Sequence, residues 1–539
     1  MGVINTETIS RTRLRGGRHQ DHFDIVPIPV LDATTGNIDI QTRITFLFDK
    51  QLDLTHIKEA WYQLVEAWPF LSAQVRECKE AQSGLAYHIP KEDVLKEHSP
   101  LEAFLPKNQR QFLSIDCSNR SLQSYWPGGA DRLQGDLSET PFICDSPSSQ
   151  EEQDMTSHNA IRTFDELIKS DRPIFTAQAT LFSDATMISL SFAHIIGDGF
   201  CIKNIFTAWT DVIRGVQPPP QPAILRDNFA SIDVNAKPNL PLRYRLLGLR
   251  DKVKLMANML YDLQFGRPEK SMQAKYIHLP GTYVSQLQKE ANEYLQSSPA
   301  NPPNHFVSRS DIVLAFIVKN IAATNDPSKS LTPITIANAR GKKVTGINLD
   351  FSHALGGCAV ALPLTGMPAG ELVKMPLAEL ASQIHQDIVQ QTSSDNLRDL
   401  FAFNLHHFSW KRVHGPDAKQ AKAKSDGKMP FFCTPNGRFC GLTDWRALGF
   451  GQVNFKGAAL SGECESAKVK AINTHMITPF STRDRFACLG DLDGSVWLYG
   501  VLSKAEWEHK DGFGRLAKVS RNTEKAPVPV QSEILSSRL

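Results

Sequence analysis

Ile188-Ser189-Leu190-Ser191-Phe192-Ala193-His194-Ile195-Ile196-Gly197-Asp198-Gly199-Phe200 changes its hydrophobic period halfway along. Ile188, Leu190 and Phe192 alternate with serines, as on a half-buried strand, whereas beyond Gly199 the apolar positions fall at 202, 205, 206, 209 and 213, a helical spacing. His194 and Asp198 therefore lie on a strand-to-helix turn. Gly197 and Gly199 allow backbone angles and close approaches that a side chain forbids, and Asp198 is placed to cap the helix that follows. Imidazole is the side chain whose unperturbed pKa lies closest to neutral. A neutral His194 held on this turn can take a proton from a hydroxyl or amine as it attacks a carbonyl.

Taken alone, the turn has three readings. His-x-x-x-Asp is expected about once by chance in a chain with 16 histidines, although His194 is the only one with Asp four residues on. A catalytic base and a core histidine followed by a capping aspartate both fit. A metal pair fits less well, because no Cys-x-x-Cys or His-Glu-x-x-His accompanies the two residues, and no metal is expected.

The 539-residue length predicts two substantial domains, each with its own core. A net charge of +2 carries no global footprint for nucleic acid. The nine cysteines are scattered without paired short spacings, the pattern of reduced thiols in an intracellular protein. No apolar run reaches the ~20 residues that span a bilayer, and no signal-peptide core opens the chain. Met1-Gly2 begins a loose myristoylation pattern, which we discount. Ser537-Arg538-Leu539 resembles a peroxisomal import signal at the end of a polar tail, so peroxisomal import is an expectation, with a cytosolic location otherwise.

In chain order, residues 1–22 read as a loose basic arm, Ile44 to Phe48 as a strand, and Ile57, Trp61, Leu64, Val65 and Trp68 as one face of a helix ending at Pro69. Residues 99–160 lack periodicity and read as a surface loop or insertion. Pro173 to Phe182 and Thr186 to Phe192 predict a hairpin that delivers the chain to His194. The expected N-terminal domain is 23–215. Six prolines between Val216 and Pro241 mark a linker, 216–272, whose Leu- and Met-rich segment from Leu242 to Phe265 reads as a crossover helix packed on the domains; a basic amphipathic helix on a membrane is the alternative. The C-terminal domain, 273–519, carries a strand near Tyr276 to Leu279 and a helix with Val284, Leu287, Ala291 and Leu295 on one face. It also carries a helix capped by Ser308, a strand at Ile334 and Ile336, a helical stripe from Leu377 to Ile388, and short strands near Phe431, Ile472 and Val496 to Leu502. A last helix follows Ala505, and 520–539 read as a flexible tail. No Gly-rich dinucleotide turn, Walker loop or Gly-x-Ser-x-Gly occurs.

Several ordered landmarks carry a resemblance. His194-Ile195-Ile196-Gly197-Asp198-Gly199 in mid-chain, Ser308-Arg309-Ser310-Asp311 followed by Ala315-Phe316, and Asn338-Ala339-Arg340 together resemble the BAHD family of CoA-dependent acyltransferases. His353-Ala354-Leu355-Gly356-Gly357 stands where that family has a Gly-Asn turn. Thr443-Asp444-Trp445-Arg446 is similar to its Thr/Ser-x-Trp stretch, and Asn454-Phe455-Lys456-Gly457-Ala458 occupies the place of its Asp-Phe-Gly-Trp-Gly motif, with Asn for Asp, Lys for the first Gly and Gly for Trp.

The resemblance implies an α/β fold of mixed sheets and helices, built as two chloramphenicol acetyltransferase-like domains around a channel. It implies acyl-CoA as co-substrate with no bound cofactor, a small-molecule hydroxyl or amine acceptor, specialised metabolism and a monomer. His194 would be the general base, Asp198 and Gly199 would hold its loop, and Thr443 or Trp445 would serve the oxyanion or acyl site. Arg340 would pair with the position of Asn454, where Asn keeps a hydrogen bond but not an ion pair. Two other readings stay open. One is a condensation-type enzyme with a carrier-protein donor, disfavoured because Ala193 replaces the usual first histidine; the other is a catalytically silent binding relative.

Overall fold

The computed structural model describes residues 22–91, 111–133, 139–224, 229, 231–234, 236–297, 306–349, 354–415, 418–419, 427–460, 466–478, 482–492 and 494–518. The N-terminal arm up to residue 21, the C-terminal tripeptide and His353 fall outside these.

Two mixed sheets with helices against them organise the chain. The first has five strands. β1 (Gln41–Phe48) and β10 (Ala471–Met476) pair antiparallel, and β1 pairs again with β5 (Thr186–Ala193), which forms the expected hairpin with β4 (Phe175–Phe182); β2 (Phe112–Cys117) lies parallel to β4. Helix α1 (Leu54–Ala67) packs on this sheet beside α2 (Gly199–Ile213), with Trp61 and Trp209 edge to face at 4.9 Å and Phe206 stacked on Phe46 at 4.0 Å. Such aromatic contacts combine large area burial with a preferred ring geometry.

The serines of β5 are buried, contrary to the half-exposed strand its alternation suggests. Their face is covered by the helix Ser149–Met155, and some of its polar groups are matched there: Ser189 Oγ lies 2.8 Å from Thr45 Oγ1, and the fully buried Arg43 pairs with Glu152, whereas the Ser191 hydroxyl is buried without a hydrogen-bond partner among the described residues. Buried polar groups that find partners in this way avoid the cost of desolvation.

The second sheet runs β8 (Ala359–Pro363), β7 (Ser330–Asn338), β9 (Arg438–Asp444), β11 (Arg485–Leu492), β12 (Ser495–Ser503), β6 (Met272–Leu279), β3 (Phe142–Asp145) and the short strand Ala517–Lys518; Met367–Pro368 adds to β7. Over it pack α4 (Gly281–Ser297), α5 (Arg309–Ala322), α6 (Leu377–Gln391) and α7 (Ser394–Phe408), after α3 (Leu249–Tyr261) of the linker. Ser308 caps α5 as expected: its hydroxyl accepts from the Asp311 N–H at 3.3 Å, while an Asp311 oxygen accepts the Ser308 N–H at 2.8 Å.

Each sheet also takes a strand from the other half of the chain. β3 pairs with β6, placing Cys144 opposite Tyr276, and β10 pairs with β1, placing Thr474 opposite Ile44.

Three expectations are corrected. Residues 99–160 are not a simple loop, since the described part holds β2, β3 and three helices, Leu122–Tyr125, Pro127–Leu133 and Ser149–Met155. The helix after Ala505 is only Lys504–Trp507. The linker helix α3 does not pack on the sheets along its length, for it buries Leu255 alone.

Candidate active site

The end of β5 is fixed before the chain turns. His194 donates its backbone N–H to the Ile40 carbonyl (2.9 Å), and Tyr87 Oη donates to the Ile195 carbonyl (2.7 Å). His194–Ile196 form a single 3₁₀ turn closed by the Gly197 N–H on the His194 carbonyl. Gly197 has φ +128°, and a Cβ there would lie 2.5 Å from Cys201 Sγ and 2.9 Å from the Gly356 carbonyl carbon. Only glycine fits, both in backbone angle and in space.

Asp198 then does two jobs. One oxygen caps α2 by accepting the Phe200 N–H (3.0 Å); the other accepts the Cys358 N–H (2.9 Å) and pairs with Arg340 Nη1. The Arg340 guanidinium also donates to the Gly356 carbonyl and lies over the Phe200 ring, 5.2 Å from its centre. Both side chains of the ion pair are only 6% exposed. A pair this deeply buried is costly to break from one side, because the remaining charge is left in a poor solvent.

Asp32 completes the clamp, and the sequence reading did not single it out. Its carboxyl, fully buried, accepts the Gly357 N–H at 2.8 Å and 3.0 Å. Burial, reinforced by the charge of Asp198 and opposed by the Gly357 hydrogen bond, pushes its pKa up to about 8. Cys201 Sγ lies 3.2 Å from both the N and the O of Gly356. The turn Leu355–Cys358 of the second half is therefore fastened to the first half by Asp32, Asp198 and Cys201, with Arg340 bridging Asp198 and Gly356.

His194 itself is half-buried, and its Nδ1 lies buried without a hydrogen-bond partner among the described residues. Burial lowers its pKa below the ordinary histidine value, and the nearby Asp198 charge only partly opposes this. The imidazole is accordingly neutral at pH 7 and able to accept a proton.

Gly199 touches the second half from a different side: a Cβ on it would lie 2.7 Å from Leu448, just beyond Trp445. β9 carries Thr443 opposite Ala487, and the Trp445 N–H donates to the Cys488 carbonyl. Between them Asp444 is held by Arg446 and accepts from Ser310 Oγ at 2.9 Å, tying this stretch to the start of α5.

Asn454 lies elsewhere. Its side-chain oxygen accepts the N–H groups of Lys456 and Ala467, Phe455 packs against Phe206 and Trp209, and a Cβ on Gly457 would meet the Ile213 carbonyl at 2.2 Å. That is the far end of α2, about 22 Å along a helix of this length from Asp198. Arg340 is thus the partner of Asp198 and not of Asn454.

A cavity of about 920 Å³ opens at the same edge of the first sheet, with Glu152, His475 and Ile477 in its wall. Ile477 donates to the Gln41 carbonyl, and Gln41 is paired with Ala193. His194 is not itself in that wall.

The sequence was compared with known proteins. Residues 93–458 match the Transferase family. The chain is 34% identical to Acetyltransferase MAT1 of Pseudozyma antarctica (strain T-34) over 92% of its own length and 98% of that protein, and 34% identical to Acetyltransferase MATC1 of Mycosarcoma maydis over 92% and 97%. Among solved structures it resembles F. sporotrichioides TRI101 complexed with coenzyme A and T-2, with a TM-score of 0.56 at 14% identity over 90% of this chain and 96% of that one. It also resembles vinorine synthase, with a TM-score of 0.53 at 12% identity over 90% of each chain.

Proposed function

Because the chain belongs to the Transferase family of BAHD type, we propose that it moves an acyl group from acyl-CoA to a hydroxyl, or an amine, of a small molecule, with His194 as general base. The observation that carries this reading is the half-buried His194 on a turn clamped from both halves of the chain, where burial lowers its pKa. His194 takes the acceptor's proton as the acceptor oxygen or nitrogen bonds to the thioester carbonyl carbon. The tetrahedral intermediate then collapses, the carbon–sulfur bond breaks, and the CoA thiolate leaves with the proton returned by the imidazolium. Positioned base catalysis of this kind is worth about 10²–10⁴ in rate.

Thr443 and Trp445 are proposed for the oxyanion or acyl side, where one donor contributes about 3 kcal/mol. Asp198, Gly199 and Arg340 position the base. CoA is the donor's carrier by analogy with TRI101, whose crystals hold it, and the relatives named acetyltransferases favour a short acyl chain. The substituted stretch at Asn454 packs at the other end of α2 and removes no group from the His194 turn, which favours an active enzyme over a silent relative.

The test is product analysis. The protein is incubated with acetyl-CoA and, in separate reactions, panels of alcohols and amines, and the products are read by mass spectrometry. An acetylated alcohol or amine formed with stoichiometric free thiol supports the reading. Tight CoA binding without any acylated product across both panels would overturn it.

A further inference from the structure

The linker helix α3 presents to solvent the face that a soluble helix normally hides. Leu249, Val253, Met256 and Leu260 follow the spacing that stacks side chains on one side of a helix, and all four are exposed, from 54% at Met256 to 78% at Leu249. Leu263 and Phe265, in the wide turn that extends α3 to Gly266, carry the apolar surface onward, with Phe265 77% exposed. No described residue buries it. Phe265 lies off that row and packs its ring against Tyr261, itself 60% exposed, which widens the apolar surface at this end. Isolated exposed apolar side chains are ordinary, but a row along one helix face is the mark of a contact surface.

The charges are sorted with respect to this row. Arg250 and Lys254 are exposed beside it, and Arg245 and Lys428 are exposed at its N-terminal end, where Arg245–Leu247 pairs with Met429–Phe431. The helix's own acids, Asp251 and Asp262, fall on the side of the buried Leu255. Asp262 is further neutralised by Arg267 at 2.8 Å and Arg483 at 3.3 Å. The outward surface is therefore apolar and cationic.

We propose that α3 and its extension to Phe265 dock the enzyme on an anionic lipid bilayer, lying in the plane of the interface. An in-plane helix needs an apolar face to enter the acyl boundary and flanking cations to meet anionic headgroups, and α3 supplies both. A second copy of the chain is a poorer occupant, because two such faces brought together would gather the cations of both with no acid between them. The surface lies on the linker, apart from His194, so this docking and the acyl-transfer reading stand or fall separately.

The experiment is flotation of the 539-residue protein with vesicles of phosphatidylcholine alone and with added phosphatidylserine. Two double variants are compared, Val253→Glu with Leu260→Glu, and Arg250→Glu with Lys254→Glu. All four positions are exposed, so thermal melting should not move. The wild type is expected to float with phosphatidylserine vesicles, to lose binding as salt rises, and to bind about tenfold or more weakly in each variant. Absence of flotation, or flotation indifferent to both variants, would overturn the proposal. So would a wild-type dimer in light scattering that the Val253→Glu, Leu260→Glu protein dissolves, since the face would then belong to a second copy.

Discussion

Burial acts on His194 and on Asp32 by the same physics and with opposite chemical results, since in each it disfavours the charged form. His194 is left as a neutral base, Asp32 as a protonated acid. On the proposed mechanism the protonated form of His194 is inactive, and burial lowers its pKa from 6.5, so kcat/KM should be flat through neutrality and fall only on the acid side of pH 6.5. A pH–rate profile with its acid limb above pH 7 would contradict this. For Asp32 the folded pKa, about 8, is above the unfolded 3.8, so the native state holds a proton that the unfolded chain releases between these values. Stability therefore declines as pH rises from about 4 to about 8 and levels off beyond. Asp32→Asn, which keeps an oxygen for the Gly357 N–H, should flatten that decline in denaturant titrations made across the range. The turn that carries His194 and the Asp198 cap was legible because it sits in one stretch. That of Asp32 was not, because its partner is 325 residues on and nothing local marks a buried carboxyl.

Elements with a strong period were read correctly, and weakly periodic ones were not. The hairpin β4–β5, the helix α2 and the Ser308 cap all announce themselves within a dozen residues. The strands and helices between Phe112 and Met155 are each too short to repeat a pattern, so their composition reads as loop. Helix α7 did carry a usable signal, since Leu397, Leu400, Phe401 and Leu405 fall at helical spacing and are buried, but it was passed over. The turn between β5 and α2 depends most on one residue. Gly197→Ala would force a Cβ onto Cys201 and the Gly356 backbone at a φ that alanine resists, and should cost about 1–3 kcal/mol with a parallel loss of activity. Denaturant midpoints and thiol release measure the two, and an alanine variant of wild-type stability would contradict the packing described.

At the scale of the whole molecule, the halves are joined by exchange. Strand β3 lies in the second sheet, β10 in the first, and the pair Asp198–Arg340 closes the seam at the site. None of this was legible, because sheet partners and ion pairs distant in sequence leave no periodic trace. The family resemblance supplied the fold class, yet it directed Arg340 to Asn454, which the length of α2 holds out of reach. Arg340→Met should cost about 3–5 kcal/mol by stranding the buried Asp198 carboxylate. Asp198→Asn with Arg340→Met should recover part of that loss, and a single variant as stable as the wild type would show that the pair does not hold the seam.

The most direct test of the central claim is release of free CoA thiol by the wild type and by His194→Ala, each supplied with acyl-CoA and an alcohol acceptor, with CoA affinity measured by calorimetry on both. Release is expected to fall about 10²–10⁴-fold in the variant while its CoA affinity and melting temperature stay at wild-type values. Equal release from the two proteins would contradict a catalytic His194.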